Sequence, residues 1–71
     1  MTKRRILGID PGTATVGFGV LDFTGATAAE YIASGVISTP KTLSAGARLK
    51  MIREDILSVY DEYQPTETAV E

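Results

Sequence analysis

Ile6-Leu7-Gly8-Ile9-Asp10-Pro11-Gly12-Thr13 is the stretch on which the reading of this chain turns. A short apolar run leads straight into a carboxylate and a Pro-Gly pair, so a buried strand ends on an acidic group. Proline at the second turn position and glycine at the third suit a type II turn, in which glycine takes the positive φ. Beyond the turn, Val16, Phe18 and Val20 alternate with Gly17, Gly19 and Leu21, the two-residue period of a second strand hairpinned to the first. Gly17 and Gly19 leave one face of that strand bare, as suits a place where another group approaches closely. Asp22-Phe23-Thr24-Gly25 reads as the next turn, and residues 31–38 as a third strand. These elements predict a three-stranded antiparallel meander.

After Pro40 the period changes to 3.6. From Ser44 to Tyr63, the residues Ala45, Leu49, Ile52, Ile56, Val59, Tyr60 and Tyr63 fall within an arc of about 100°, the width of a core-facing stripe. Tyr60 and Tyr63 therefore read as core residues rather than platforms for base stacking. Arg48 and Arg53 flank the stripe, with Arg48 a candidate partner for a carboxylate, and Lys50 and Glu54 form an (i, i+4) charge pair. Thr42 or Ser44 can cap the start, and Pro65 closes the end. Residues 66–71 alternate again as a fourth strand. The order β-β-β-α-β makes the helix a crossover, which sets the fourth strand parallel to the first. Asp10 and Glu71 then end neighbouring strands at the same edge, where open α/β sheets gather ligands.

Composition narrows the chemistry. The 71 residues include no cysteine and no histidine, which excludes disulfides, thiolate or imidazole metal sites and histidine-dependent catalysis. Seven Lys and Arg against nine Asp and Glu give a net charge of −2, so no broadly basic coat for nucleic acid exists. Lys3, Arg4 and Arg5 make a small basic start that could lie near DNA, but three charges neutralise few phosphates and an ordinary solvated start is the expectation. No apolar run approaches the roughly 18 residues of a membrane span, and no signal core follows the basic start. The expected compartment is the reducing cytoplasm. Because the last residues alternate as a strand and then stop, the chain reads as a piece of something longer, whose bare strand edges favour self-association.

Asp10 and Glu71 are the residues with chemistry to offer. A carboxylate ending a buried strand requires a hydrogen bond, an ion partner or a metal. Two carboxylates brought together repel unless a cation lies between them, and hard oxygen ligands select Mg²⁺ or Mn²⁺. The plainer alternative is that Asp10 only caps the Pro-Gly turn. Thr13, Thr15 and the amides after Pro11 are candidate contacts for a backbone phosphate; the plainer alternative is that they complete the turn.

Ile6-Leu7-Gly8-Ile9-Asp10-Pro11-Gly12 followed by Gly17-Phe18-Gly19-Val20 resembles the opening of RuvC-type Holliday junction resolvases, the crossover junction endodeoxyribonucleases. The similarity continues through Ala33-Ser34-Gly35, Arg48-Leu49 with Ile52, Pro65 and Ala69-Val70-Glu71, and so spans nearly the whole chain in order. The resemblance implies an α/β, RNase H-like fold, with residues 1–71 as the N-terminal part of a single nuclease domain whose C-terminal part is absent. It implies that Asp10 and Glu71 are the first two catalytic carboxylates, Asp10 bridging two Mg²⁺ ions and Glu71 holding one, with Mn²⁺ a possible substitute. Two further acidic residues on a late helix complete the family's site. The implied activity is metal-assisted hydrolysis of phosphodiesters in four-way junction DNA during recombination and repair. The implied partners are that DNA, a second copy of the enzyme and the branch-migration proteins RuvA and RuvB.

Three other readings fit parts of the sequence. Gly-Ile-Asp-x-Gly-Thr also opens the phosphate-binding hairpin of actin-like and sugar-kinase ATPases; Ala69-Val70-Glu71 at this spacing speaks against them. Shorter RNase H-like proteins of the resolvase type share a similar hairpin, usually without the proline. With half of its carboxylates missing, the chain is also expected to be inactive by itself, and a non-catalytic RNase H-like remnant would look the same.

Overall fold

The computed structural model describes residues 3–12, 15–25 and 28–71. Strands β1 (Arg4–Pro11), β2 (Thr15–Thr24) and β3 (Ala28–Ser38) are followed by helix α1 (Ala45–Tyr63) and strand β4 (Glu67–Val70). The sheet runs β3-β2-β1-β4. Its first three strands are antiparallel neighbours in a meander, and β4 lies parallel to β1 across the crossover helix. This is the α/β arrangement that the sequence predicts.

The two-residue period places Leu7 and Ile9 of β1, Val16 and Phe18 of β2, and Ile37 of β3 on one face, where they meet Ile56 and Val59 of α1. Leu7 and Val20 are the most deeply buried apolar side chains, at 1% and 0% exposure. Ser44 caps α1, its Oγ accepting the Ala47 N–H at 3.2 Å. At the other end Gln64 turns left-handed with φ 47° and donates its N–H to the Tyr60 carbonyl, after which the buried Pro65 turns the chain toward β4.

Four details differ from the sequence reading. The first reversal does not centre on Pro11-Gly12: Asp10 and Pro11 are strand residues paired with Gly17 and Val16, and the Gly12 N–H closes the hairpin onto the Thr15 carbonyl at 2.7 Å. Gly12 lacks a positive φ, and Gly25, at 78°, is the one glycine among the described residues that has it. Gly12 is needed for room, since a Cβ there would lie 2.9 Å from the Thr15 carbonyl oxygen. Gly12→Ala is therefore expected to lower stability by about 1–3 kcal/mol in a urea melt; no loss would mean that the loop relaxes around the methyl group.

The second difference is length. Asp22 belongs to β2 rather than to a turn, and β3 begins at Ala28 rather than Tyr31, because Arg5 stands opposite Asp22 and neutralises it within the sheet. Third, Tyr60 and Leu49 are not core: they are 41% and 67% exposed. Both sit on one margin of the apolar stripe, about 50° and 70° around the helix from the middle of the half-buried line of contact formed by Ile52, Ile56, Val59 and Tyr63 (Leu49 the nearer). Fourth, the basic start is not simply solvated, as Arg4 and Arg5 each hold a carboxylate.

Candidate active site

β1 and β4 run side by side with Gly8 level with Ala69 and Ile9 level with Val70. The Glu71 N–H extends the ladder by one bond, to the Ile9 carbonyl at 3.1 Å. One further step in this register sets Asp10 beside Glu71. Pro11 follows at the position that would next offer an N–H to β4, and proline has none, so the ladder stops level with the two carboxylates.

Leu7 and Ile9 point to the helix, so Gly8 and Asp10 point away from it, as do Ala69 and Glu71. In β2 the residues opposite Asp10 and Gly8 are Gly17 and Gly19. Together these six residues line most of an open cleft of about 400 Å³ on the face without the helix. A Cβ at Gly19 would meet nothing within 4 Å, so packing does not require glycine there; its absence of side chain leaves the sheet backbone open to whatever enters.

Among the described residues neither the Asp10 nor the Glu71 side chain has a hydrogen-bond or ion-pair partner, and no third acidic side chain joins them in a cluster. The chemistry of the pair suits a hard divalent cation, which neutralises both charges, takes carboxylate oxygens and keeps its remaining ligands as water. Of the two threonines, Thr15 is exposed on the same face as Gly17, its carbonyl engaged by Gly12, and Thr13 lies outside the described residues.

The sequence reading missed a second carboxylate centre on the helix side of the sheet. Arg5 donates from Nε to Asp22 Oδ1 at 2.7 Å, from Nη2 to Oδ2 at 2.9 Å, and from Nη1 to the Tyr63 carbonyl at 2.9 Å. Lys3 Nζ stands 3.6 Å from the same carboxylate, whose side chain is only 1% exposed. The hydrogen bonds from Arg5 hold the Asp22 carboxyl below its ordinary value, and the same bonds raise the Arg5 guanidinium. The signal was present: once the hairpin register is fixed, Arg5 and Asp22 must face each other. Arg4 similarly forks onto Glu67 of β4, with Nη2 2.8 Å from Oε1, and lowers that carboxyl. Arg48 donates from Nε to Thr39 Oγ1 at 3.0 Å.

A depressed folded-state value means that Asp22 adds stability above its unfolded value, near pH 4, and loses it as the pH falls through the folded one. Thermal melts are expected to decline below about pH 4. Asp22→Asn is expected to melt lower at neutral pH and to show a flatter acid limb; an acid limb unchanged by the substitution would place the effect on other carboxylates.

The family model described as crossover junction endodeoxyribonuclease RuvC matches residues 6–71. The RuvC protein of Chromobacterium violaceum is 47% identical over 69 residues, covering 97% of this chain and 39% of that protein. The one from Thermotoga maritima is 42% identical over 71 residues, covering 100% and 42%. The chain thus spans about two fifths of the length of these relatives. Among solved structures, Thermus thermophilus RuvC in complex with Holliday junction substrate matches with a TM-score of 0.84 at 31% identity, over 94% of this chain and 41% of that one. A second Thermus thermophilus RuvC structure matches at 0.79 over 93% and 43%. The fold is RNase H-like, and matches that run on through the fourth strand do not favour the ATPase hairpin. Likeness in sequence from the first buried strand to Glu71, joined to the same arrangement of strands and helix, means that the chain belongs to the RuvC family of crossover junction endodeoxyribonucleases.

Proposed function

We propose that residues 1–71 form the N-terminal part of a single RNase H-like nuclease domain that, in its complete form, resolves four-way DNA junctions by metal-dependent phosphodiester hydrolysis. The observation that carries this reading is the pair Asp10 and Glu71, set at the ends of neighbouring strands in one open cleft, with no ion-pair partner for either among the described residues. The Thermus thermophilus relative, whose structure holds a Holliday junction substrate, supports the choice of DNA.

In this reading Asp10 and Glu71 would supply the first carboxylate oxygens for two Mg²⁺ ions, or for Mn²⁺ in their place, with Asp10 shared between the ions and Glu71 holding one. When bound, such ions lower the pKa of a ligand water and offset charge on the reacting phosphate. The chain's own contribution is placement: paired strands hold the carboxylates, and Gly8, Gly17 and Gly19 keep the floor low enough for a sugar-phosphate backbone. Thr13 and Thr15 are the proposed phosphate contacts, since Thr15 shares the face of Gly17 next to the hairpin end. Two more acidic ligands, dimerisation and engagement of RuvA and RuvB belong to the remaining length of the enzyme. A two-fold dimer suits the symmetric junction, and the place of action is the cytoplasm. Among the described residues no helix is long and apolar enough to cross a membrane.

The test is to read the genomic frame beyond Glu71 and to assay the complete product on a synthetic four-way junction with Mg²⁺. Paired nicks on opposing strands are expected from that product, and none from the 71-residue chain. A frame lacking two further carboxylates, or a complete product that fails to cleave with either Mg²⁺ or Mn²⁺, would falsify the reading. Cleavage by the 71-residue chain alone would show that Asp10 and Glu71 suffice.

A further inference from the structure

All four residues of β4 are exposed, so burial cannot fix its register against β1. Yet register decides the site. A slip of one residue would turn the Glu71 side chain to the helix face and leave Asp10 alone. Other contacts must therefore hold the strand, and they gather at its beginning, on Arg5.

The Arg5 N–H donates to Thr66 Oγ1 at 3.1 Å, while the Thr66 N–H and hydroxyl both donate to the Arg5 carbonyl, at 2.8 and 3.1 Å. The Arg5 side chain reaches the Tyr63 carbonyl at the end of α1, so one residue grips both ends of the link between helix and strand. Its fork on the buried Asp22 anchors it in turn to β2. The Arg4–Glu67 pair acts on the same strands, but its side chains are 57% and 45% exposed and water screens them.

We propose that Arg5, fixed by Asp22, is a positioning residue for the carboxylate pair: with Thr66 it sets the β1–β4 register that brings Glu71 beside Asp10. The proposal rests on reading that pair as the metal site. Arg5 stands five residues before Asp10, and Thr66 five before Glu71, so each strand carries the register about 17 Å to the cleft. The Glu71 N–H bond to Ile9 is the same register read at the far end.

NMR of the isotope-labelled 71-residue chain, with Mn²⁺ as the probe, tests this. In the parent, cross-strand contacts of Gly8 with Ala69 and of Ile9 with Val70 are expected, and Mn²⁺ should broaden Asp10 and Glu71 together. Arg5→Lys and Thr66→Val, singly and combined, are expected to weaken those contacts and to spare Glu71 from broadening while Asp10 still responds. Mn²⁺ affinity should fall about tenfold or more, as when an orienting partner of a ligand is lost. The β1–β2 and β2–β3 contacts should persist, and Thr66→Ser should restore the parent pattern. If the combined variant keeps its β1–β4 contacts and broadens both residues, the proposal is overturned. If Mn²⁺ broadens neither carboxylate in the parent, the metal reading fails, while the cross-strand contacts still decide the role of Arg5. Should Arg5→Lys not fold, Thr66→Val, which leaves the Arg5–Asp22 pair intact, decides it.

Discussion

Asp10→Asn is expected to slow Mg²⁺-dependent junction cleavage by the complete nuclease about a thousandfold or more. The amide keeps the shape of the carboxyl but removes the charge and one of the two oxygens that the proposed bridging role requires. Metal ions contribute several kcal/mol of transition-state charge stabilisation, and a loss of about 4 kcal/mol is a factor of about 10³ in rate. The fold should survive, since the Asp10 side chain is exposed and holds no other group in place among the described residues. Junction binding measured by gel shift should therefore change far less than cleavage. Glu71→Gln should act in the same direction and less strongly, because its proposed role is to hold a single ion. Cleavage by Asp10→Asn within tenfold of the parent would remove Asp10 from the chemistry.

The largest expected effect on stability is at Leu7. Its side chain is 1% exposed and lies among Ile9, Val16, Phe18 and Ile37 beneath α1. Leu→Ala at such a site removes the transfer free energy of the lost methyl groups and leaves a cavity, together about 2–5 kcal/mol. A chain of this size has a total stability of about 4–10 kcal/mol, so Leu7→Ala removes a large part of it and should lower the melting temperature by about 10–30 °C. Leu21→Ala is the matched control: Leu21 is 38% exposed on the other face and should lose less than about 1 kcal/mol. Equal losses at the two positions in urea melts would mean that the helix face is not the core.

The strands and the helix are legible in the sequence because their periods are clean. Val16, Phe18 and Val20 against Gly17 and Gly19 leave only one way to face the helix, and the change to a 3.6-residue period after Pro40 is unambiguous. That β1 and β4 end at the same edge of the sheet follows from topology, since a crossover helix makes them parallel, whereas the register that brings Asp10 level with Glu71 is a matter of contacts between the strands. Asp22 escapes a local reading because acidic residues before a glycine usually belong to turns; a strand accommodates it only when a cation faces it, a fact of pairing between strands rather than of local pattern. Gly12 escapes it for a related reason: Pro-Gly favours a type II turn, but the pairing of Pro11 with Val16 carries the strand past it. The marginal residues of the helical stripe, Leu49 and Tyr60, depend on where the helix axis settles over the sheet, which periodicity does not encode.

The parallel pairing of β1 with β4 has a kinetic consequence. Arg5 and Thr66 are 61 residues apart, whereas each hairpin of the meander closes over a three-residue connection. Closing a long loop delays a contact, and an exposed edge strand opens at low free energy. The carboxylate pair is accordingly expected to be the last feature to assemble as the chain folds and the first to come apart. In hydrogen exchange the Glu71 amide should then exchange well before that of Leu7. A cation that binds only the assembled pair would slow exchange at Glu71 by mass action, so the ion would help to hold together the strands that bind it.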